Sequence, residues 1–386
     1  MQVYTLLKAA PGASLSTSQR AYNFVQIQEA ARLLGMGELV AFPTETVYGL
    51  GANAFSSEAV AKIFACKGRP SDNPLIVHIG TKAELGRVAI GWPNLAEGLM
   101  NRFWPGPLTL VLAKRPQISP LVTSGLETVA VRMPDHPVAL QLLKAVGLPI
   151  AAPSANRSGR PSPTTAQHVL EDLQGHIAAL IDAGSSREGV ESTVLDLSGA
   201  KPAILRPGSI TREMLLPYIP QLESSPPLDP EAAPSSPGTK YTHYAPRAAL
   251  YLYRGDPVAV RRRMAQDAAI WRGSYRKIAV MLSEPFVDSG FPEDAADLFL
   301  DLSADSEHLV VDPNIAKDSA PADAELDQEE RLRRIGSNLF AALRLCDSER
   351  ISVILAQGVE AVGLGEAIMN RLSKAARDVI YLTGGH

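Results

Sequence analysis

Hydrophobic and polar positions change rhythm repeatedly along this chain, and short apolar runs closed by glycine or proline are its commonest unit. The stretch 38–79, ELVAFPTETVYGLGANAFSSEAVAKIFACKGRPSDNPLIVHI, shows the pattern most fully. Leu39-Val40-Ala41-Phe42 is an apolar run of buried-strand length that Pro43 stops. Residues 44–51 hold hydroxyls, a carboxylate, a phenol and two glycines, and they read as a loop leaving a strand end, where α/β sheets place ligands. Ser56 or Ser57 caps a helix with Ala59, Val60, Ile63 and Phe64 on its apolar face. Gly68 and Pro70 end that helix beside Lys67 and Arg69. Ser71-Asp72-Asn73-Pro74 then leads to a strand over 75–79, in which His78 shares a side with Ile76.

The same reading extends in both directions. Residues 3–7 suit a short strand, and 25–36, 82–89 and 94–103 follow a helical period. After Trp104-Pro105-Gly106-Pro107, strands are predicted at 108–112, 129–131, 149–152, 179–181, 193–195 and 203–205, with helices around 137–146 and 164–174. The alternation predicts an α/β fold built on a twisted sheet of mixed strand direction. Eight prolines in the thirty residues 217–246 mark an extended linker. Beyond it, strands at 249–252, 278–281 and 351–355 and helices near 258–267, 330–346 and 364–376 predict a smaller Rossmann-like α/β layer. The expected division is a first domain over 1–212, a proline-rich linker over 213–247 and a second domain over 248–386. Within the last, 301–330 carries ten acidic side chains against one lysine and reads as an exposed insertion.

A length of 386 residues suits two domains with real cores. The net charge of −4 gives no global basic surface for nonspecific nucleic-acid binding. Cys66 and Cys346, the only cysteines, exclude a disulfide framework or a cysteine-rich zinc site. The seven histidines show no ligand spacing, so no protein-held metal is expected. No signal pattern opens the chain and no apolar run approaches the roughly 18 residues of a membrane span, which makes a soluble cytoplasmic protein with no membrane partner the expectation. The sequence lacks a P-loop, a dinucleotide fingerprint and a nucleophile elbow. Arg69, Arg132 and Arg206 each end a predicted element beside proline, glycine or hydroxyl residues. One such arginine is ordinarily a surface charge; three suggest convergence on an anion, since guanidinium forks match phosphate and carboxylate. A site of arginines, a lysine, hydroxyls and amides suits phosphoryl or nucleotidyl chemistry run by positioning and charge stabilisation.

PTETVYGLGANA, KGRPSDNPLIVH, FWPGPLT, VRMPDHP, PSANRSGRPSPT, GVESTV and LRPGSI occur in that order, and together they resemble the YrdC-like threonylcarbamoyl-AMP synthases over residues 21–211. SPGTKYTHYAP, NLFAALRLCD and GLGEAIMNRLSKAA resemble the long, two-domain form, with Thr239 and Thr242 departing from its linker pattern. The resemblance implies formation of L-threonylcarbamoyladenylate and pyrophosphate from L-threonine, bicarbonate or CO₂, and ATP as substrate, with Mg²⁺. This is the first step of a tRNA adenosine modification that other, downstream threonylcarbamoyl-transfer proteins complete; a weak contact with tRNA is left open. It implies threonine binding by Thr46, His78, Arg132, Ala152 and Ser192. It implies ATP binding by Lys67, Arg69, Asn73, Thr128, Ser154, Asn156, Ser162, Arg206 and Tyr244, with Lys67, Arg69 and Arg206 catalytic. Two alternatives stand beside it: an RNA-binding module, which salt-dependent RNA binding without ATP would favour, and a carbamoyl-adenylate enzyme with another acceptor, against which the scarcity of cysteine argues.

Overall fold

The computed structural model describes residues 1–7, 14–224, 244–274, 276–286, 291–292, 294–312 and 326–383. The chain divides into two compact units, Met1–Ser158 with Ser162–Tyr241, and Gly159–Pro161 with Thr242–His386.

The first unit is built on one mixed sheet. Its strands are β1 (Gln2–Thr5), β2 (Val40–Phe42), β3 (Gly49–Asn53), β4 (Ile76–His78), β5 (Leu108–Ala113), β6 (Thr128–Arg132), β7 (Ile150–Ala151), β8 (Ala179–Asp182), β9 (Thr193–Asp196), β10 (Ala203–Arg206) and β11 (Glu223–Ser224). They lie in the order β1-β8-β2-β3-β7-β4-β6-β5-β9-β10-β11. Strand alternation sends successive residues to opposite faces. Leu39 and Ala41 enter a core with the helix Ser57–Lys67, whereas Val40 and Phe42 enter a second core under the helices Thr17–Gly35 and Pro137–Val146. Further along, Leu75, Val77, Val129, Val131, Leu108 and Leu110 continue the first core. On the other face stand His78, Arg132 and Thr109, beside a small apolar cluster of Ile76, Val111, Ala130 and Val194.

Several elements fall where the pattern puts them. Ser56 caps Ser57–Lys67, its hydroxyl accepting the Ala59 N–H, and Gly68 closes the helix at φ 61. Other expectations are corrected. The segment 44–51 is loop only as far as Tyr48, because Gly49 to Asn53 form β3, whose Gly49, Leu50 and Gly51 pair antiparallel with β2 and whose Ala52 and Asn53 pair antiparallel with β7. A Cβ on Gly51 would lie 2.9 Å from Ile150 and 3.0 Å from Phe42, so this glycine serves close packing within a strand. The first helix starts at Thr17, on a Ser16–Gln19 capping box. The chain does not become a linker at 213: Leu215, Ile219 and Leu222 are buried in the first unit's core, and β11 runs parallel to β10.

The second unit has β12 (Ala249–Gly255), β13 (Ile278–Leu282), β14 (Leu298–Asp301), β15 (Val310–Val311), β16 (Val353–Gln357) and β17 (Asp378–Leu382), in the order β15-β14-β13-β16-β12-β17. All pair in parallel except β15 with β14, and the helices Pro257–Arg272, Gln328–Ser348 and Leu364–Ala375 complete the Rossmann-like layer. The acidic stretch 301–330 is not wholly exposed. Asp301, Leu302 and Ser303 are buried, and the Ser303 hydroxyl donates to Asp301 at 2.6 Å. Its residues 313–325 lie outside the described residues.

Candidate active site

Register, not sequence distance, assembles the site. In the β4–β6 pair His78 stands beside Arg132, and in β5–β6 Thr109 stands beside Arg132. β7 runs into Ala152, whose N–H donates to the Ile76 carbonyl at 2.9 Å. Ser192, just ahead of β9, exchanges a hydroxyl hydrogen bond with Thr109 at 2.8 Å. Arg206 at the end of β10 donates to the Ser192 carbonyl from Nε at 3.1 Å and Nη2 at 2.9 Å, and to its hydroxyl at 3.2 Å. Ala152, His78, Arg132, Thr109, Ser192 and Arg206 thus form one row across six adjacent strands, every member buried.

The loop before β3 closes over that row. Arg132 donates through Nη1 to the Thr46 hydroxyl at 2.9 Å and through Nε to the Gly106 carbonyl at 3.3 Å. Its Nη2 lies 2.6 Å from Glu45 Oε2. The pair is off the angle of a hydrogen bond, so the contact is an ion pair with donor and acceptor capacity left over. The Thr44 hydroxyl donates to the Val47 carbonyl at 2.6 Å and lies 2.9 Å from the Thr46 hydroxyl, which fixes the loop. His78 packs edge-on to Phe42. Burial first, and the Arg132 charge second, push its imidazole down to about 3, so it is neutral at ordinary pH. Its Nδ1 faces the Ile76 carbonyl at 3.3 Å, which makes Nδ1 the protonated nitrogen and leaves Nε2 as an acceptor.

A second group adjoins. Lys67 Nζ, buried at the helix end, donates to the Ser154 carbonyl at 2.6 Å, to the Asn156 carbonyl, and to Asn156 Oδ1 at 3.3 Å. The Ser154 hydroxyl donates to the same Oδ1 at 2.5 Å. Ser162 donates to Glu191, the neighbour of Ser192, at 2.5 Å. Three expected residues of the first unit, Thr128, Asn73 and Arg69, are not members of the row. Thr128 opens β6 at the end opposite Arg132, roughly 13 Å away at strand rise. Asn73 is buried ahead of β4, and Arg69 holds the turn there through the Asn73 and Pro74 carbonyls at 3.2 and 3.1 Å. Tyr244 belongs to the second unit; its ring packs 5.2 Å from Phe340 and under the buried Arg371 guanidinium.

Glu45, Thr109 and Glu191 were not singled out as site residues, although each stands in a motif quoted above. Alternation along β5 and β6 marks Thr109, which falls on the Arg132 face between Leu108 and Leu110. Glu45 carried no local signal, because its partner is 87 positions away.

Residues 32–208 match the family described as Telomere recombination (Sua5, YciO, YrdC), and 210–377 match the threonylcarbamoyl-AMP synthase C-terminal domain. The threonylcarbamoyl-AMP synthase of Bacillus subtilis is 44% identical over 362 residues, covering 93% of this chain and 95% of that protein. The chain belongs to the threonylcarbamoyl-AMP synthase family. The Pyrococcus abyssi synthase is 43% identical and covers 91% of this chain and 94% of its own length. The structure of Pyrococcus abyssi Sua5 complexed with L-threonine superposes with a TM-score of 0.83 at 40% identity, over 99% of this chain and 100% of that one. The two-domain architecture is therefore that of the synthase family along its whole length.

Proposed function

We propose that the buried row of the first unit is where this synthase joins L-threonine, bicarbonate or CO₂, and ATP into L-threonylcarbamoyl-AMP, acting as a nucleotidyltransferase and releasing pyrophosphate. The observation that carries the reading is Arg132, a buried guanidinium set between Thr46, Glu45 and His78 on a face otherwise floored by apolar side chains. A carboxylate on Arg132 has a charge partner in a water-poor site, where such contacts are strongest. Neutral His78 offers Nε2 to the substrate hydroxyl. The Ala152 carbonyl and Ser192 complete the threonine end.

Threonine's amine attacks the carbon of CO₂, giving a carbamate and releasing a proton. A carbamate oxygen then attacks the α-phosphorus of ATP, and the bond to pyrophosphate breaks. Negative charge grows on phosphate oxygens, which Lys67, Arg69 and Arg206 are proposed to offset. Ser154, Asn156, Ser162, Asn73 and Thr128 would hold the nucleotide, with Ile76, Val111, Ala130 and Val194 as an apolar floor. Mg²⁺ fits such a site as an ion carried by the nucleotide: its usual ligands are substrate phosphates with one or two carboxylates, and Glu45 and Glu191 adjoin the row, through Arg132 and beside Ser192. When bound it would screen phosphate charge. No helix among the described residues is long and apolar enough to cross a membrane. A cytoplasmic location and downstream threonylcarbamoyl transfer to tRNA follow from this reading.

The test is pyrophosphate release from ATP with threonine and bicarbonate supplied singly and together. Release is expected only when both are present. Arg132→Ala leaves Glu45 buried without its partner, a change that typically costs about 3–5 kcal/mol. Arg132→Lys, which keeps the charge and loses the fork, is therefore measured beside it, with ATP binding as the check on folding. A large rise in the threonine KM with ATP binding retained supports the assignment. An unchanged threonine KM in Arg132→Lys refutes it, and release without threonine points to another acceptor.

A further inference from the structure

The second unit holds a cavity that the proposed synthase chemistry does not use. Its volume is about 390 Å³, within the range of small-molecule pockets. Topology dictates its place. β12 connects to β13 past β16 in one direction, and β16 connects to β17 past β12 in the other. The crevice outside the carboxyl ends of β12 and β16 is the switch point of this sheet, where open parallel sheets bind ligands. The cavity opens there, lined by Arg254 and Gly255 from the end of β12 and by Gln357 and Gly358 from the end of β16.

Its buried and half-buried unmatched groups are donors. Gln357 is only 4% exposed. Its Oε1 accepts the Ser283 backbone N–H at 3.3 Å, which leaves the amide nitrogen, without a partner among the described residues, to the cavity it lines. Arg331, half-buried in the first turns of Gln328–Ser348, lines the wall and makes no side-chain hydrogen bond or ion pair among the described residues. Arg254 adds a second half-buried guanidinium, stacked 5.4 Å from the Tyr381 ring centroid. Two carboxylates also line the cavity, but Glu284 is already paired with Arg261 and Glu360 is exposed. Val260, Leu332 and Ile335 give the remaining wall an apolar surface.

We propose that this cavity is a second ligand site, for a phosphate-bearing small molecule of mononucleotide size. Arg254 and Arg331 face the phosphate, whose oxygens suit guanidinium forks. Gln357 donates to an oxygen of the ligand, and the apolar wall takes its flat group. The site stands on the second unit's geometry alone and does not depend on the synthase assignment.

Equilibrium dialysis of the full chain tests it, with labelled AMP in one arm and inorganic pyrophosphate in the other. Wild type is compared with an Arg254→Ala/Arg331→Ala variant and with Gln357→Glu, which keeps the acceptor for Ser283 but sets a negative charge in the cavity. Both variants are expected to lose one binding event that wild type shows, by at least about tenfold in affinity, while threonine-dependent pyrophosphate release is unchanged. The two arginines are half-exposed, so the double variant decides the matter even if Gln357→Glu folds poorly. Identical binding curves for wild type and the double variant with both probes would overturn the proposal.

Discussion

His78 couples strand alternation, register and electrostatics in one imidazole. Alternation takes it off the face of Val77 and Ile79, and register sets it beside Arg132. The backbone carbonyls of Ile76 and Ile150 favour its charged form, but burial and the Arg132 guanidinium outweigh them. Free in an unfolded chain, such a ring titrates near 6.5; here it does so at about 3. Between those values the unfolded chain binds the extra proton, so the stabilising effect of a neutral His78 is complete above about pH 6.5 and is lost as pH falls. His136, lowered mainly by burial, acts with the same sign. From pH 7 to 5 His78 alone is expected to cost about 2 kcal/mol of stability. Urea midpoints at the two pH values check this, and His78→Gln should flatten the difference. Equal midpoints for wild type would contradict it.

Among the elements, the apolar strands and the capped helices were legible because their signals are local. Ser56 and Gly68 bracket one helix within a dozen residues, and 94–103 is bounded by Pro93 and Trp104-Pro105. β3 was not legible: its two glycines read as loop chemistry, and Gly51 is explained by the approach of Phe42 on the paired strand and of Ile150, about a hundred positions on. β14, at 298–301, was likewise unread before an acidic stretch whose first residues turn out to be buried. In the candidate site the motifs gave most of the members and the register gave their neighbours; Glu45 and Thr109 needed the sheet. Gly208, in the motif LRPGSI, shows how one element disciplines another. A Cβ there would lie 2.3 Å from the Thr193 nitrogen and 2.6 Å from the Glu191 carbonyl oxygen, backbone atoms that no rotamer change can move. Gly208→Ala should displace 191–193, and with it the Ser192 contacts to Thr109 and Arg206, at an overpacking cost of about 1–3 kcal/mol. We expect synthase activity to fall at least about tenfold, on the scale of a lost charge-assisted contact. Gly98→Ala, in open space within the helix Asn94–Phe103, is the control and should stabilise by about 0.5–1 kcal/mol. A Gly208→Ala enzyme with wild-type turnover would show that the Ser192 contacts carry no catalytic weight.

For the whole molecule, the question is where the first unit ends. Prolines begin to accumulate at Pro217, the linker expected from that composition starts at 213, and a chain cut at 212 would follow from it. The packing puts it later. Leu215, Ile219 and Leu222 are 0%, 4% and 3% exposed, inside the same core as Leu110 and Leu195. Arg212 donates to the Leu222 carbonyl at 2.6 Å, Lys201 meets Glu223 at 2.8 Å, and β11 extends the sheet beside β10. Each buried Leu or Ile contributes about 1.5–3 kcal/mol. Removing three of them takes away a sum comparable with the roughly 5–15 kcal/mol that stabilises an entire domain. The surface ion pair adds little. A chain ending at 212 is therefore expected to lose cooperative unfolding, whereas one ending at 224 keeps its core and should melt in a single transition. Urea titration of the two chains, followed by tryptophan fluorescence from the buried Trp104, distinguishes them. Equal midpoints for both would mean that 213–224 add nothing to the core and that the proline-rich segment begins where its composition says. A cooperative transition for the longer chain alone would fix the end of the first unit after Ser224, and any test of the linker's part in turnover has to cut there.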